Sequence, residues 1–346
     1  MKNSGVLKMI ETVRDHLHYI KGPTVSDVAN ATIKEILERG EEVLRTIGPW
    51  SMHKKVEKHP MRELHNITLV VENPEARWNT KVSEGMCEEV LDYLLGLNPG
   101  YVHFTKWSFY DSWREVSSGR YPYTYGERIY GNNGEFINQW QFCRDKLKRD
   151  LTTRHASVVI WRPVDHLREF IPCTFAFHIQ VNDEGKLEWT SMMRSQDALR
   201  GLFLDLFAYT TFHQMMADEL GVPMGNYTHF ESNVHIYGKD IDKYMEWPVS
   251  STRSGEVPKR NLALNDAQKR ILFNAVKALY IDRKIGRTVD LIDGLPEYWR
   301  SYVAFQILDS QPQTQGWDGS ALQQKLLSDL LPEMEWVLSI NKRIGS

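Results

Sequence analysis

The feature that most limits how this chain can fold is a long apolar run at residues 202–220, which reads LFLDLFAYTTFHQMMADEL. A run of this length and composition is typical of a helix that is buried on all sides. One carboxylate, Asp205, lies inside the apolar part of the run. An unpaired buried charge is costly, so Asp205 must either face a polar cavity or meet a partner.

Strand patterns lie on both sides of this helix. Residues 171–181 and 186–193 predict two strands joined by a turn at 182–185, and Cys173 lies at the start of the first strand. After the helix, residues 226–237 predict a further strand. Its period of two places His235 and Tyr237 on the same face.

The remaining segments divide the chain into three regions. Periodicity and Gly or Pro breaks predict helices at 4–20, 26–39, 84–95 and 136–148, strands at 64–71 and 156–161, and a polar loop at 41–60. A stretch rich in Ser, Gly and Pro predicts a linker, and helical periodicity returns at 265–282, 295–308 and 320–341. We therefore expect a catalytic domain at 1–247 with amino-terminal helices, a linker at 248–260 and a helical extension at 261–346.

Composition narrows the class of protein. The 346 residues are 42% hydrophobic, so a sizeable core is expected. The net charge of -3 argues against a protein that coats nucleic acid or an anionic membrane. No run of about 18 apolar residues occurs, and the amino terminus lacks an apolar signal region. Three cysteines, Cys87, Cys143 and Cys173, have no paired metal-ligand spacing. We expect a cytoplasmic protein without a metal.

Four motifs, in this order and spacing, carry a resemblance. Pro172-Cys173, Arg194-Ser195-x-Asp197-x-x-x-Gly201, His235-x-Tyr237 and the upstream Tyr125-Gly126 resemble those of thymidylate synthase, over roughly residues 30 to 245. Each motif is weak alone, but the combination is specific. The asparagine with which that family reads uracil falls eleven residues after the motif arginine, where this chain has Asp205. The sequence is therefore most similar to the cytosine-acting branch, the deoxycytidylate and cytidylate 5-hydroxymethylases.

The resemblance implies a fold, a reaction and partners. It implies an α/β (α+β) fold of the thymidylate synthase type, with a large mixed sheet flanked by helices, extra carboxy-terminal helices and a homodimer. The substrates would be CMP or dCMP and 5,10-methylenetetrahydrofolate. A thiolate that adds to C6 makes C5 of the pyrimidine nucleophilic, so Cys173 would form a covalent adduct and C5 would take the one-carbon unit. Water would then complete a hydroxymethyl group, where a synthase delivers hydride.

The resemblance also assigns roles to particular residues. Glu89 and Tyr125 would hold the water network that removes the C5 proton, and Asp205 would bind N3 and N4 of cytosine. The family's nucleotide-binding positions match Arg194, Ser195, His235, Tyr237 and Arg154, the last acting across the dimer. The family's folate-binding positions match Phe109, Tyr110, Trp113, Asp197 and Gly201, although Arg200 stands where an apolar residue is usual.

Alternative interpretations stay open at this stage. Cys173 could be a small buried residue, Asp205 a helix aspartate paired with Arg or Lys, and Glu89 a surface salt-bridge partner. The loop could bind phosphate through Arg45, Lys55 or Lys58, or be a solvated loop. Asn233 and Ser232 could orient the ribose or the base. Thymidylate synthase, a dCMP methyltransferase and a non-catalytic nucleotide-binding homologue are the alternative functions.

Overall fold

The structure, a computed structural model, describes residues 18–46, 58–96, 123–131, 137–168, 171–242, 259–280, 282, 284–310 and 320–344. Its strands are β1 His18–Gly22, β2 Glu41–Thr46, β3 Lys58–Val71, β4 Ser157–Val159, β5 Thr174–Val181, β6 Leu187–Met193, β7 Gln196–Asp197 and β8 Met224–Tyr237. Its α-helices are α1 Val25–Arg39, α2 Glu84–Leu95, α3 Tyr125–Tyr130, α4 Gln139–Arg149, α5 Leu202–Leu220, α6 Asp266–Tyr280, α7 Ile285–Ile292, α8 Glu297–Ser310, α9 Ala321–Ser328 and α10 Pro332–Ile344. Short 3-10 helices lie at Pro163–Leu167 and Gly238–Asp240.

All eight strands form one mixed sheet. Its main path is β1-β3-β8-β6-β5-β4, while β2 also pairs with β3 and β7 with β8. The pairs β1 with β3, β6 with β8 and β7 with β8 are parallel, and the others are antiparallel. The expected large mixed sheet flanked by helices is therefore confirmed.

Helix α5 is the central helix of the core. Every residue from Leu202 to Ala217 is buried, as its composition predicts. The helix packs on β6 and β8 and against α1, α2 and α4. Gly221 ends it in the left-handed region, with φ of 71°, where glycine has no Cβ to clash. A helix surrounded in this way cannot shift without disturbing the core, so it is a rigid support for Asp205.

The carboxy-terminal helices continue the same core. Helix α8 packs on α2, and Trp78 contacts Phe207 of α5 together with Tyr302 and Phe305 of α8. Two hydrogen bonds join α2 to α8. The Tyr302 hydroxyl donates to the Cys87 carbonyl at 3.3 Å, and the Glu84 amide donates to the Asp309 carboxylate at 2.8 Å. The extra helices expected after residue 261 are present and support the helix that carries Glu89.

Two expectations near the amino terminus are wrong. The predicted helix at 4–20 fails over residues 18–20, which belong to strand β1 and pair with β3; the preceding residues lie outside the described part. The predicted loop at 41–60 contains β2 and the start of β3, which pair with each other. Charged residues of β2, such as Glu42 and Arg45, are typical of a loop, but here they pair across the two strands, Glu42 with Arg62 at 2.9 Å and Arg45 with Glu63.

In the part of the chain that the structure describes, no helix is both long enough and apolar enough to span a membrane.

Candidate active site

The end of the β5–β6 ladder holds Cys173. This residue immediately precedes β5, and its carbonyl accepts a hydrogen bond of 2.8 Å from the Arg194 amide. The Arg194 guanidinium turns back onto the same segment. It donates from Nε to the Pro172 carbonyl at 3.0 Å and from Nη2 to the Ile171 carbonyl at 2.9 Å. The motif arginine thus fixes the backbone on which the cysteine sits, and only two of its five donors are used in these bonds.

The charges around Cys173 oppose each other. Burial raises the pKa of the Cys173 thiol, the nearby Arg194 cation lowers it, and the Asp205 and Glu231 carboxylates raise it. The net direction is upward, so the resting protein holds the thiol rather than the thiolate. The expectation that Arg194 favours the thiolate is correct in sign, but burial outweighs it. Any change that removes Arg194 should therefore make the thiol less acidic still.

This balance gives a first prediction. Replacing Arg194 with Gln should raise the pKa of Cys173 further and slow alkylation by iodoacetamide about tenfold near pH 8, because the thiolate is the reacting form. The rate is followed by mass spectrometry. Cys87 and Cys143 are buried, and burial raises the pKa of Cys143 to about 12, so alkylation reports Cys173. Arg194→Lys, which keeps the charge, is the control; equal rates for all three proteins would contradict the prediction.

Asp205 lies in the first turn of α5 and is 8% exposed. Its Oδ2 accepts a hydrogen bond of 2.8 Å from the Gln196 amide nitrogen. Burial raises the pKa of Asp205, although the Gln196 hydrogen bond, nearby His229 and Tyr209 one turn further along the helix lower it. Asp205 thus has uncharged hydrogen-bond partners in place of the Arg or Lys that a structural helix aspartate would take.

Two stacked tyrosines connect Glu89 to the cysteine segment. Glu89 is buried on α2 and accepts a hydrogen bond from the Tyr93 hydroxyl, so it is not a surface salt-bridge residue. The Tyr93 ring stacks on Tyr125 with centroids 5.2 Å apart. The Tyr125 hydroxyl accepts from the Thr174 amide at 3.3 Å, next to Cys173. Tyr93 lies four residues after Glu89 on one helix, a spacing that could have identified it from sequence.

A polar chain fixes the ring of His235. Burial raises the pKa of Glu63, but hydrogen bonds from Arg45 and then Asn233 outweigh it and bring that pKa down to about 2. The Asn233 side chain lies beside this carboxylate on the paired strand, and its Oδ1 is 3.1 Å from Nδ1 of His235. An amide oxygen only accepts, so Nδ1 of His235 carries the proton. Arg45, a candidate for phosphate binding, donates to Glu63 at the start of this series of contacts, and Lys55 lies outside the described residues.

The other nitrogen of His235 faces a different environment. Nε2 is buried, and within the described residues it has no hydrogen-bond partner. With the proton on Nδ1, Nε2 can accept a hydrogen bond from a ligand. Burial also lowers the pKa of His235, which keeps the ring neutral. The Tyr237 ring packs edge-on against it at 5.0 Å, so the two motif residues share one face as predicted.

Asp197 is part of an ionic bridge. Its Oδ1 accepts from the backbone amides of Leu199 and Arg200 at 2.8 and 3.1 Å, and its Oδ2 accepts from the Arg200 guanidinium at 3.0 Å. Arg200 also donates to Asp240 at 2.8 Å and lies 5.8 Å from the Tyr237 ring centroid. A carboxylate offers about four acceptor positions, so Asp197 retains one for a ligand.

A second buried layer lies behind Asp205, and it was not anticipated. Tyr227, His229 and Glu231 alternate along β8 and face the core together. The Tyr227 hydroxyl lies 2.6 Å from Nδ1 of His229, whose Nε2 contacts the Glu231 carboxylate. Burial raises the pKa of Glu231. The alternation of polar residues in an otherwise buried strand was the signal available in the sequence.

The remaining predicted residues are exposed, partly exposed or outside the described part of the chain. Ser195 and Gly201 are partly exposed at the two ends of the Arg194 motif. Arg154 is exposed before the edge strand β4 and has no hydrogen bond or ion pair with another described residue. Phe109, Tyr110 and Trp113 lie outside the described residues. Within that described part, no group of three or more His, Cys, Asp or Glu residues is placed to hold a metal ion.

These features define an α/β protein with a mixed sheet, in which the motif arginine and a buried acid both act on the pKa of one cysteine. The family model described as thymidylate synthase matches residues 75–281. This chain belongs to the thymidylate synthase family. Members of that family are one-carbon transferases that use methylenetetrahydrofolate.

Individual relatives agree with the family assignment. A "Putative thymidylate synthase" of Methanocaldococcus jannaschii is 28% identical over 232 residues, 64% of this chain and 92% of the relative. The thymidylate synthase of Bacillus licheniformis is 25% identical over 227 residues, 62% of this chain and 79% of the relative. In structure, the thermostable thymidylate synthase A of Bacillus subtilis aligns with a TM-score of 0.52 at 20% identity, over 64% of this chain and 83% of that one. This structural likeness shows the fold.

Proposed function

We propose that the protein transfers a one-carbon unit from methylenetetrahydrofolate to C5 of CMP or dCMP and releases the 5-hydroxymethyl nucleotide. The observation that carries this proposal is Asp205, a buried acid whose pKa is raised, at the position where the family reads the base. Nearby His229 lowers the pKa of Asp205, and an ionised Asp205 raises the pKa of Cys173.

The acid suits cytosine because of its proton. A protonated carboxyl donates to N3 of cytosine and accepts from the N4 amino group. When that proton is transferred to N3, it withdraws electrons from the ring. Burial in this site favours the protonated carboxyl, since it disfavours the charged form. An asparagine could donate to O4 of uracil and accept from its N3-H, but it has no acidic proton to transfer to N3 of cytosine.

The other residues take roles that their geometry allows. The Cys173 sulfur forms the bond to C6, and it leaves when that bond breaks at the end of the cycle. Glu89, reached through Tyr93 and Tyr125, accepts the C5 proton by way of water. Water rather than hydride completes the one-carbon group. Arg194 and Ser195 bind the phosphate, and Arg154 adds a contact from the other protomer of a homodimer.

The folate site is argued from Asp197. Methylenetetrahydrofolate supplies the carbon at the oxidation level of formaldehyde. Among the described residues, one acceptor position on Oδ2 of Asp197 is open, and it fits one N–H donor of the pterin; Gly201 lies beside it at the start of α5. Tyr110 and Trp113 would stack on the folate. Because Arg200 holds Asp197 in place, the carboxylate is oriented before the folate binds.

His235 gives a second prediction. Its Nε2 acceptor should take a hydrogen bond from a sugar hydroxyl, and Asn233 fixes the tautomer that makes this possible. Asn233→Ala should raise KM for the nucleotide about tenfold with a much smaller change in kcat, because one oriented hydrogen bond is lost. Asn226→Ala, on the same strand, is the control. A fall in kcat with KM unchanged would contradict this role.

The direct test is a substrate comparison. The protein is incubated with CMP, dCMP or dUMP and methylenetetrahydrofolate, and the products are weighed by mass spectrometry. A product heavier by CH2O from CMP or dCMP is the expected result. Turnover of dUMP alone would refute the assignment based on Asp205. The comparison of CMP with dCMP also determines which sugar the enzyme accepts.

One observation favours a second candidate. The relatives reported above carry the name thymidylate synthase, so methylation of dUMP is the alternative reaction. A dCMP methyltransferase is the third, and it would add CH2 to dCMP. A non-catalytic nucleotide-binding homologue would release no tritium from C5 of any labelled nucleotide. Product mass and tritium release together separate these four functions.

A further inference from the structure

Gln196 occupies the variable position between Ser195 and Asp197 of the arginine motif. Its backbone is held by pairing with Val234 of β8, and its side chain is 3% exposed. The amide nitrogen reaches Oδ2 of Asp205 at 2.8 Å. A hydrogen bond between two buried side chains on different elements orients both of them.

Because Gly201 has no side chain, the Gln196 amide can lie directly against it. A Cβ at position 201 would come within 3.1 Å of the Gln196 amide nitrogen and 3.2 Å of its Cδ, which is tighter than ordinary packing. The backbone of Gly201 has a negative φ of −91°, so a larger residue there would not strain the backbone but would push the Gln196 side chain by a few tenths of an ångström. The motif glycine thus has a role towards Gln196, apart from any contact with folate.

The chemistry of the acid makes this contact consequential. A protonated carboxyl has one donor oxygen and one acceptor oxygen. With the proton on the oxygen that faces N3, it matches cytosine, which accepts at N3 and donates at N4. With the proton on the other oxygen, it matches uracil, which donates at N3 and accepts at O4. The protonated oxygen therefore decides the base.

We infer that Gln196 is the positioning residue that sets this choice, by holding Oδ2 of Asp205 as the acceptor and confining the proton to Oδ1. An amide nitrogen can only donate, so it opposes a proton on Oδ2. Tyr209 cannot impose the same choice, because a hydroxyl donates or accepts as required and also bonds to Thr174 at 2.8 Å. This inference rests on the proposed role of Asp205, and it places Oδ1 towards N3 of cytosine.

The test is the ratio of kcat/KM for dCMP to kcat/KM for dUMP in two variants. Gln196→Leu has a similar volume but no donor, so the proton can occupy either oxygen and the ratio should fall about tenfold. Gln196→Glu, ionised, would accept from Oδ2 and draw the proton to it. The ratio should then fall about 100-fold, since a charged partner makes the stronger bond.

The controls separate this inference from folding and from the proposed function. Gln306→Leu removes a buried amide of α8 that has no hydrogen-bond partner among the described residues, and it should leave the ratio unchanged. Thermal unfolding checks that each variant folds. If Asp205→Asn alters base preference while both Gln196 variants keep the wild-type ratio, the inference is refuted and the proposed function stands. If Asp205→Asn also leaves base preference unchanged, the proposed function itself fails.

Discussion

Cys173→Ala should abolish turnover, with kcat lower by at least about 10^4-fold, because C5 of a pyrimidine does not react without addition at C6. Tritium release from C5 of the labelled nucleotide should be lost with it. Nucleotide binding, measured by calorimetry, should be retained, since the sulfur contributes to bond formation and not to phosphate or sugar recognition. A loss of release without a loss of binding is what distinguishes an enzyme from a nucleotide-binding homologue.

The matched control is another cysteine. Cys143 is buried in α4, and Cys143→Ala should leave both tritium release and product formation near wild type. Residual release at the wild-type rate in Cys173→Ala would show that another group attacks the ring. That result would contradict the assignment of Cys173, even if the base preference were as proposed.

Asp205→Asn should reverse the preference for the base. An amide has no proton to transfer to N3 of cytosine, so kcat/KM for dCMP or CMP should fall about 100-fold, and dUMP, which needs no such proton, should become the better substrate. Steady-state kinetics with each nucleotide measures the effect.

The same substitution at the other end of the helix serves as the control. Asp218 lies on α5, and its carboxylate accepts from the Leu262 amide at 2.6 Å, a bond that asparagine can also accept. Asp218→Asn should therefore keep the wild-type base preference. Equal changes in the two variants would show that the effect comes from the stability of α5, and the role of Asp205 would be wrong.

Local patterns predicted the parts of the fold that depend on local physics. The apolar run of α5 and the spacing of α2 were sufficient to define those helices, and the arginine motif placed Asp205 in the first turn of α5. Strand β1 was not predictable in this way. Residues 18–20 have helical spacing with the residues before them, and only pairing with distant residues of β3 makes them a strand.

The candidate site shows the same limit. Cys173 and Arg194 were found by motif, but the burial that raises the pKa of the thiol depends on residues from several elements. Gln196 was passed over because its partner, Asp205, lies on another element, and a motif records identity at a position without recording what the side chain touches. Arg45 was grouped with loop cations, whereas its partner Glu63 faces it from a neighbouring strand.

The junction between α2 and α8 has a consequence for how such a chain could be shortened or recombined. The Asp309 carboxylate accepts a hydrogen bond from the Glu84 amide at the start of α2, and the Tyr302 hydroxyl donates to the Cys87 carbonyl on the side of α2 that packs against α8. Removing the chain after the linker should therefore expose this apolar side of α2 to water. A shortened or recombined chain that keeps α2 would need another segment to cover the same surface.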